Sequence, residues 1–301
     1  MKRLRIFIIL LNYNGYNDTV ECIQSLKNLN NNENYDINTL IVDNFSSKIE
    51  CKKLKLLSKK FKNLILIFNE SNNGYAAGNN IGIDAALKNK ADYIWILNND
   101  VIVDENSLNE LIIASKGKQG FFSTKIYNYY DKQELMYFGG KIIPTKFAVE
   151  FNKEEGFNDI HSDFISGASI FAHKNLWEKY KLPEEYFLYE EDTDFSLNLK
   201  HDNIPIYVVA KAKIYHKESA STYRLSYIKH YYFERNKMLL RNKYSKKYSK
   251  YCFVIKMLLY PFRTLRRFIK GLVYKNEYMY YAKYEFLAWR DFLIGKSGKI
   301  N

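Results

Sequence analysis

An open, mostly parallel α/β sheet flanked by helices, followed by a helical C-terminal region, is the fold class this sequence predicts. Apolar β-prone runs alternate with segments of helical period over the first hundred residues. Such alternation yields parallel strands joined by right-handed crossovers. Polar clusters stand directly after several of the runs, where open sheets bind ligands. After residue 221 the composition shifts to Tyr, Lys and Arg with helical periodicity.

The elements follow in order. Residues 6–11 are continuously apolar, as in a strand buried on both faces. Val20, Ile23, Leu26 and Leu29 recur at helical spacing over 17–29, with Asn17 or Asp18 as the expected N-cap. Residues 39–42 read as the next strand, 49–61 as a basic helix and 64–68 as a third strand. A helix at 79–89 and a strand at 93–97 complete this half. From 107 to 149 the pattern is mixed, with strands expected at 120–127 and 135–142. Residues 150–163 are polar and read as a mobile loop, and 164–172 as a short apolar element. A helix at 193–201 and strands at 206–209 and 212–215 precede a boundary near residue 222. The expected organisation is a sheet region, 1–222, with halves of about 1–100 and 101–222, and a basic, aromatic-rich helical region, 223–301.

Of 301 residues 47% are hydrophobic, enough for a sizeable core and unlike a disordered chain. The formal charge of +13 favours polyanionic partners: nucleic acid, anionic lipid or phosphorylated substrates. Cys22, Cys51 and Cys252 have no metal-type spacing, and so sparse a set fits a reducing compartment. The run at 6–11 is far too short to span a bilayer, and the stretch 252–262 is broken by Lys256 and Pro261, so no transmembrane helix is expected.

The polar clusters carry the chemistry. Asn12-Tyr13-Asn14-Gly15 follows the first strand and Asp43-Asn44-Phe45-Ser46-Ser47 the second. A carboxylate placed after a buried strand must be solvated or paired. Asp43 suits the N–H of a pyrimidine base or a ribose hydroxyl, or else caps a turn. Asn72-Asn73-Gly74-Tyr75-Ala76-Ala77-Gly78-Asn79-Asn80 opens a helix with small residues, so a diphosphate could approach its N-terminus; the other reading is a tight capped loop. Asn98-Asn99-Asp100 offers oxygens to Mg²⁺ or Mn²⁺ bridging protein and phosphate, or is a solvated strand end. Tyr189-Glu190-Glu191-Asp192-Thr193-Asp194 packs four acids into five positions. They raise one another's pKa, and a helix N-terminus with a nearby cation would keep one ionised as a base. An acidic first turn on a surface is the bland alternative. His216 follows a strand and is either a metal ligand or a packed residue.

Taken in chain order, these motifs resemble the inverting glycosyltransferases of family 2, which have the GT-A, Rossmann-like fold. The likeness covers residues 5 to about 222, and the Asn-Gly-Tyr-Ala-Ala-Gly-Asn-Asn stretch is closest to the rhamnosyltransferase-like branch. The tail is similar too, through Glu234-Arg235-Asn236-Lys237 and Gly295-Lys296-Ser297-Gly298-Lys299. The resemblance implies a nucleotide-diphosphate sugar donor, dTDP-rhamnose or a UDP-sugar, and a Mn²⁺ or Mg²⁺ cofactor. The acceptor would be a glycan or lipid-linked glycan of cell-surface polysaccharide synthesis. Asp43 would bind the base or ribose beside Asn12, Tyr13, Asn14 and Asn44. Gly78 and Asn79 would line the donor. Asp100 would hold the metal beside Asn98 and Asn99, with His216 as a later ligand. Asp192, from the pair Glu191-Asp192, would be the general base, near Ser166-Gly167-Ala168-Ser169. The family's Asp-x-Asp motif reads Asn-Asn-Asp here, so one carboxylate is missing.

In the tail, Val254, Met257, Leu258, Phe262 and Leu265 form an apolar stripe among basic residues. Such helices lie on anionic membranes, which would place the protein on the cytoplasmic face of the cell membrane. The alternative is a bundle packed on the catalytic region. A nucleic-acid-binding protein is the rival from another class, but no recognition module appears and no nucleic-acid partner is expected. A sugar nucleotidyltransferase would need an N-terminal Gly/Arg/Lys phosphate loop, which is lacking.

Overall fold

The computed structural model describes residues 3–29, 35–143, 148–217, 226–248, 250–274 and 277–300. Strand β1 (Leu4–Asn12) pairs in parallel with β2 (Tyr35–Asp43) on one side and with β4 (Tyr93–Asn98) on the other; β3 (Leu64–Phe68) lies beyond β2. The chain leaves β1 through α1 (Tyr16–Lys27), α2 (Lys48–Ser58) and α3 (Tyr75–Lys88), then returns to the opposite side of β1. That reversal opens a crevice beyond the carboxyl ends of β1 and β4. Alternate residues feed two cores, with Ile8, Leu10, Trp95 and Leu97 on one face and Ile9, Val42, Ile94 and Ile96 on the other.

The second half is mixed rather than parallel. It contains β5 (Val101–Val103), α4 (Ser107–Ser115), β6 (Phe121–Asn128), β7 (Leu135–Tyr137), β8 (Gly140–Ile143), β9 (Ala148–Phe151), β10 (Ile160–Ser162) and β11 (Ser169–His173). Helices α5 (Lys174–Trp177) and α6 (Glu191–His201) and strand β12 (Ile206–His216) follow. Strand β11 runs antiparallel to β4 and β6, while β12 runs parallel to β6 and antiparallel to β5.

Several local expectations need correction. The stretch read as a loop at 150–163 contains the end of β9 and all of β10, whose backbone pairs with the edge of β12. The strand expected at 135–142 is split by Gly139, at φ +87°. The two strands expected at 206–209 and 212–215 are one, bulged so that Val209 and Lys213 face the consecutive residues Thr124 and Lys125. Helix α1 is not capped by Asn17 or Asp18. Glu50 Oε2 accepts the Tyr16 N–H at 2.9 Å, and Asp18 meets Lys217 Nζ at 2.7 Å. The boundary expected near 222 lies outside the described residues.

Helices α7 (Ser226–Tyr248), α8 (Lys250–Tyr274) and α9 (Tyr278–Leu293) end the chain. Pro261 sits inside α8 and has no N–H for the Met257 carbonyl; Trp289 Nε1 of α9 supplies that bond at 3.3 Å. Tyr231, Tyr232 and Met257 pack against Phe187, Leu188 and Tyr189, so the helices sit directly on the segment before α6. That segment is held from α7. Asn236, fully buried, donates to the carbonyls of Tyr186, Leu188 and Tyr189 at 2.8, 2.7 and 3.0 Å. Buried Arg235 donates to the Tyr186 carbonyl as well, at 3.0 Å. Replacing Asn236 by Ala leaves two of these carbonyls without the donor, and we expect Asn236→Ala to cost about 2–4 kcal/mol. A lowered urea midpoint at unchanged m-value checks this; an unchanged midpoint refutes it.

Candidate active site

The floor of the crevice is a hydrogen-bonded set of short polar side chains at the ends of β1, β2 and β4. Asn12 is fully buried; its Nδ2 donates to Asp43 Oδ1 at 2.8 Å and to Ser46 Oγ at 3.1 Å, and its Oδ1 accepts from Thr19 Oγ1 at 2.9 Å. Asp43, also 0% exposed, accepts the Ser46 N–H at 3.0 Å on its other oxygen. Asn44 spans from the Asn69 amide to Asn72 and the Gly74 carbonyl. Asn99 Nδ2 reaches Thr19 Oγ1 at 2.9 Å. Asn12, Asp43 and Asn44 therefore lie beneath the crevice surface, and the exposed members of this wall are Tyr13, Asn14 and Phe45.

Gly78 and Asn79 do not line that surface in this conformation. A Cβ on Gly78 would lie 2.3 Å from Leu11 Cδ1, so the glycine is what lets α3 rest on β1. Asn79 is 0% exposed and bonds the Tyr75 carbonyl. The N-terminus of α3 is likewise engaged. The Tyr75 N–H donates to the Phe187 carbonyl at 2.8 Å, and Gly74, at φ +93°, has no room for a Cβ, which would sit 2.2 Å from that oxygen. The expectation of an open helix end for a diphosphate is corrected at this position.

Asp100 and His216 meet although 116 positions separate them: Nε2 and Oδ1 are 3.1 Å apart. Strand pairing accounts for this, because β12 runs antiparallel to β5 with His216 opposite Val101. Asn98 Nδ2 stands 3.3 Å from the same His216 nitrogen. Asp100 and His216 are partly exposed, at 18% and 15% of their side chains, so a ligand can reach both. Two neighbouring ligands of an octahedral ion at about 2.1 Å lie about 3.0 Å apart, so this oxygen–nitrogen pair suits a divalent cation.

The opposite wall comes from 166–168 and the start of α6. The Asn98 N–H donates to the Ala168 carbonyl at 3.2 Å, and the Gly167 N–H donates to Asp192 Oδ2 at 3.3 Å. Two links thus tie the end of β4 to Asp192. Tyr75 OH donates to the Gly167 carbonyl at 2.5 Å. Burial first, then the charges of Glu191, Asp192 and Asp100, hold the Tyr75 phenol well above its ordinary pKa, as expected where all three acids surround one ring.

The acids are tuned by burial. Asp192 is pushed up to about 6 by desolvation, while N–H groups of Gly167 and Thr193 limit the rise. Glu191 is pushed up to about 8, first by burial and then by the Asp192 charge. Glu190 is pushed up to about 7 for the same two reasons. Burial raises all three, and the backbone N–H groups of Gly167 and Thr193 favour the ionised form of Asp192, as a base requires. Asp194 is structural: Lys243 Nζ and Tyr244 OH of α7 hold it at 2.5 and 2.6 Å.

Asp100, His216 and Asn98 therefore meet at the end of β4, and hydrogen bonds through Ala168 and Gly167 tie that end to Asp192, with Glu191 adjacent. Tyr75 and Phe187 were not singled out from sequence, because a ring and a backbone carbonyl announce no chemistry. Asn236 and Arg235 had a signal in the Glu-Arg-Asn-Lys run, but not their task.

Comparison with solved structures agrees with this architecture. GalNAc-T7 with UDP, GalNAc and Mn²⁺ superposes with a TM-score of 0.61 at 14% identity over 78% of this chain and 51% of that one, so this chain spans about half its length. The mannosyltransferase PcManGT from Pyrobaculum calidifontis, in complex with GDP-Man and Mn²⁺, gives 0.58 at 12% identity, covering 98% and 89%. S. aureus TarS 1-349 in complex with UDP gives 0.55 at 13%, covering 97% and 92%. No curated protein matches the chain. The mixed sheet with its flanking helices is the GT-A fold of these neighbours. Residues 7–171, more than half of the chain, match the family model for glycosyl transferase family 2, and the chain belongs to that family.

Proposed function

We propose that this chain is an inverting, divalent-metal-dependent transferase that moves a sugar from a nucleotide diphosphate to an acceptor hydroxyl. The observation that carries the reading is the Asp100–His216 pair together with the two hydrogen bonds, Asn98 N–H to Ala168 and Gly167 N–H to Asp192, that tie the same strand end to Asp192, both acids acting on the Tyr75 phenol. The donor's nucleotide lies over the Tyr13–Asn14 side, on a surface kept in shape by Asn12, Asp43, Asn44, Gly78, Asn79 and Asn99. Asp43 fixes that surface from beneath rather than from its exposed side. A Mn²⁺ or Mg²⁺ ion held by Asp100 and His216 would neutralise charge on the diphosphate, as the neighbours' bound Mn²⁺ suggests.

Asp192 Oδ takes the proton of the acceptor hydroxyl as that oxygen attacks the anomeric carbon. The bond to the diphosphate breaks in the same displacement, and the nucleoside diphosphate leaves. Gly167 and Thr193 N–H groups orient the carboxylate, and its part-buried setting raises its basicity to the working range. Burial and the neighbouring Asp192 charge push Glu191 toward its neutral form, which limits the negative charge beside the donor. Resemblance of the Asn73–Asn80 stretch to the rhamnosyltransferase-like branch points to dTDP-rhamnose, with UDP-sugars open as well, and the acceptor is a glycan or lipid-linked glycan of cell-surface polysaccharide.

A panel of UDP-, dTDP- and GDP-sugars assayed with and without Mn²⁺ tests the donor; metal-independent turnover of every donor, or none at all, overturns the reading. For Asp192→Asn we expect kcat to fall roughly 10²–10⁴-fold with donor affinity kept. Near-normal kcat would remove the base assignment. Asp100→Ala should weaken Mn²⁺-dependent donor binding by about tenfold or more, ~1.4 kcal/mol, read by calorimetry; equal affinity with the metal would exclude Asp100 as its ligand. Because the base must be ionised, kcat/KM should fall as pH drops through about 6, the Asp192 value, rather than through the ordinary carboxylate range near 4. A flat profile from pH 5 to 8 would contradict this.

A further inference from the structure

The charge of this protein is not spread over it. Residues 223–301 hold 19 Lys and Arg against 4 Asp and Glu, a formal +15, whereas residues 1–222 hold 27 against 29, a formal −2. The basic region also turns an apolar face to solvent. On α8, Leu258, Phe262, Leu265, Ile269 and Leu272 are 68, 69, 55, 50 and 54% exposed. Steps of four and three put all five on one side of the helix. Met257, Tyr260 and Thr264, on another side, are buried against the rest of the chain. A helix packed on a globular protein normally turns polar residues outward. This one is apolar on both the packed side and the outward side.

Basic residues edge the outward stripe. Arg266 and Lys270 are exposed and follow its border. Arg263 and Arg267 point elsewhere: Arg263 bonds Glu234 of α7, and both bond Glu285 of α9. Those two arginines hold the bundle together, while Arg266 and Lys270 flank the exposed face. Among the described residues no helix is long and apolar enough to cross a membrane. A continuous exposed apolar patch of this kind marks a docking surface.

We propose that the outward face of α8 docks on an anionic lipid bilayer, the helix lying in the interface with Leu258, Phe262, Leu265, Ile269 and Leu272 in the outer hydrocarbon. Charge complementarity selects this occupant. A bilayer carrying anionic headgroups meets both the stripe and its basic border. A second copy of the chain would set +15 against +15, and a nucleic acid would leave five large apolar side chains in water. The docking stands on these residues alone and does not depend on which donor the crevice takes.

The test is vesicle flotation of the full chain. On phosphatidylcholine vesicles containing phosphatidylglycerol we expect binding about tenfold or more above that on phosphatidylcholine alone, and weaker in high salt. The pair Leu258→Glu and Phe262→Glu should lose at least about tenfold of that binding, with an unchanged circular dichroism spectrum. Should that pair disturb the fold, Arg266→Gln with Lys270→Gln removes only the basic border and must still lower binding to the anionic vesicles. Equal partition onto the two vesicle types overturns the proposal, as does wild-type binding by either pair of variants. A wild-type dimer that the Leu258 and Phe262 substitutions convert to monomer, with no vesicle binding, would instead assign the face to a second copy.

Discussion

Three residues with side chains, Phe187, Tyr189 and Glu190, hold φ of 67, 70 and 72° directly before α6. Left-handed backbone at such residues costs of order 1 kcal/mol or more each and persists only where the surroundings over-determine it. Here the surroundings are Asn236 and Arg235, whose donors take the carbonyls of the same stretch, and the aromatic cluster of α7 around it. The Phe187 carbonyl in turn meets the start of α3. The stretch therefore fixes two things at once, where α6 and Asp192 start and how α3 begins. The C-terminal helices thus hold the segment that leads into α6.

The other wall is organised by amides. Asn12 can donate to Asp43 and Ser46 while accepting from Thr19, which an Asp at the same place could not do without setting two carboxylates together in a buried site. Asn44 plays a similar two-way part for the loop after β3, and Asn99 donates to the Gly15 carbonyl and Thr19 Oγ1 after β1. Three amides with one carboxylate, Asp43, thus build the floor beneath the crevice, and the partly exposed acid beside it is Asp100. The Asn-Asn-Asp motif reads naturally in this light: Asn98 approaches His216, and Asn99 belongs to the floor.

The C-terminal region has two faces with different tasks. Its inner face, through Asn236, Lys243 and Tyr244, grips the segment and the helix that carry Asp192. Its outer face, on α8, is apolar with a basic border.

The first four parallel strands and the crevice at their ends were legible in the sequence, as were the polar clusters after them, including Asp100, whose meeting with His216 the structure adds. Continuous apolar runs and the polar residues after them follow from local rules of burial and strand period. Legibility failed where pairing is non-local. Residues 160–162 look polar and loop-like, yet become strand because β12 offers an unpaired edge. Small polar residues at a helix start fit a phosphate, but here Gly78 rests on Leu11, Asn79 bonds the Tyr75 carbonyl, and the Phe187 carbonyl takes the Tyr75 N–H at the helix start. The sequence by itself determined which residue types stand at the ends of which strands. Only the tertiary structure decided which of them face the crevice, because burial and hydrogen-bond satisfaction are settled by partners tens or hundreds of positions away.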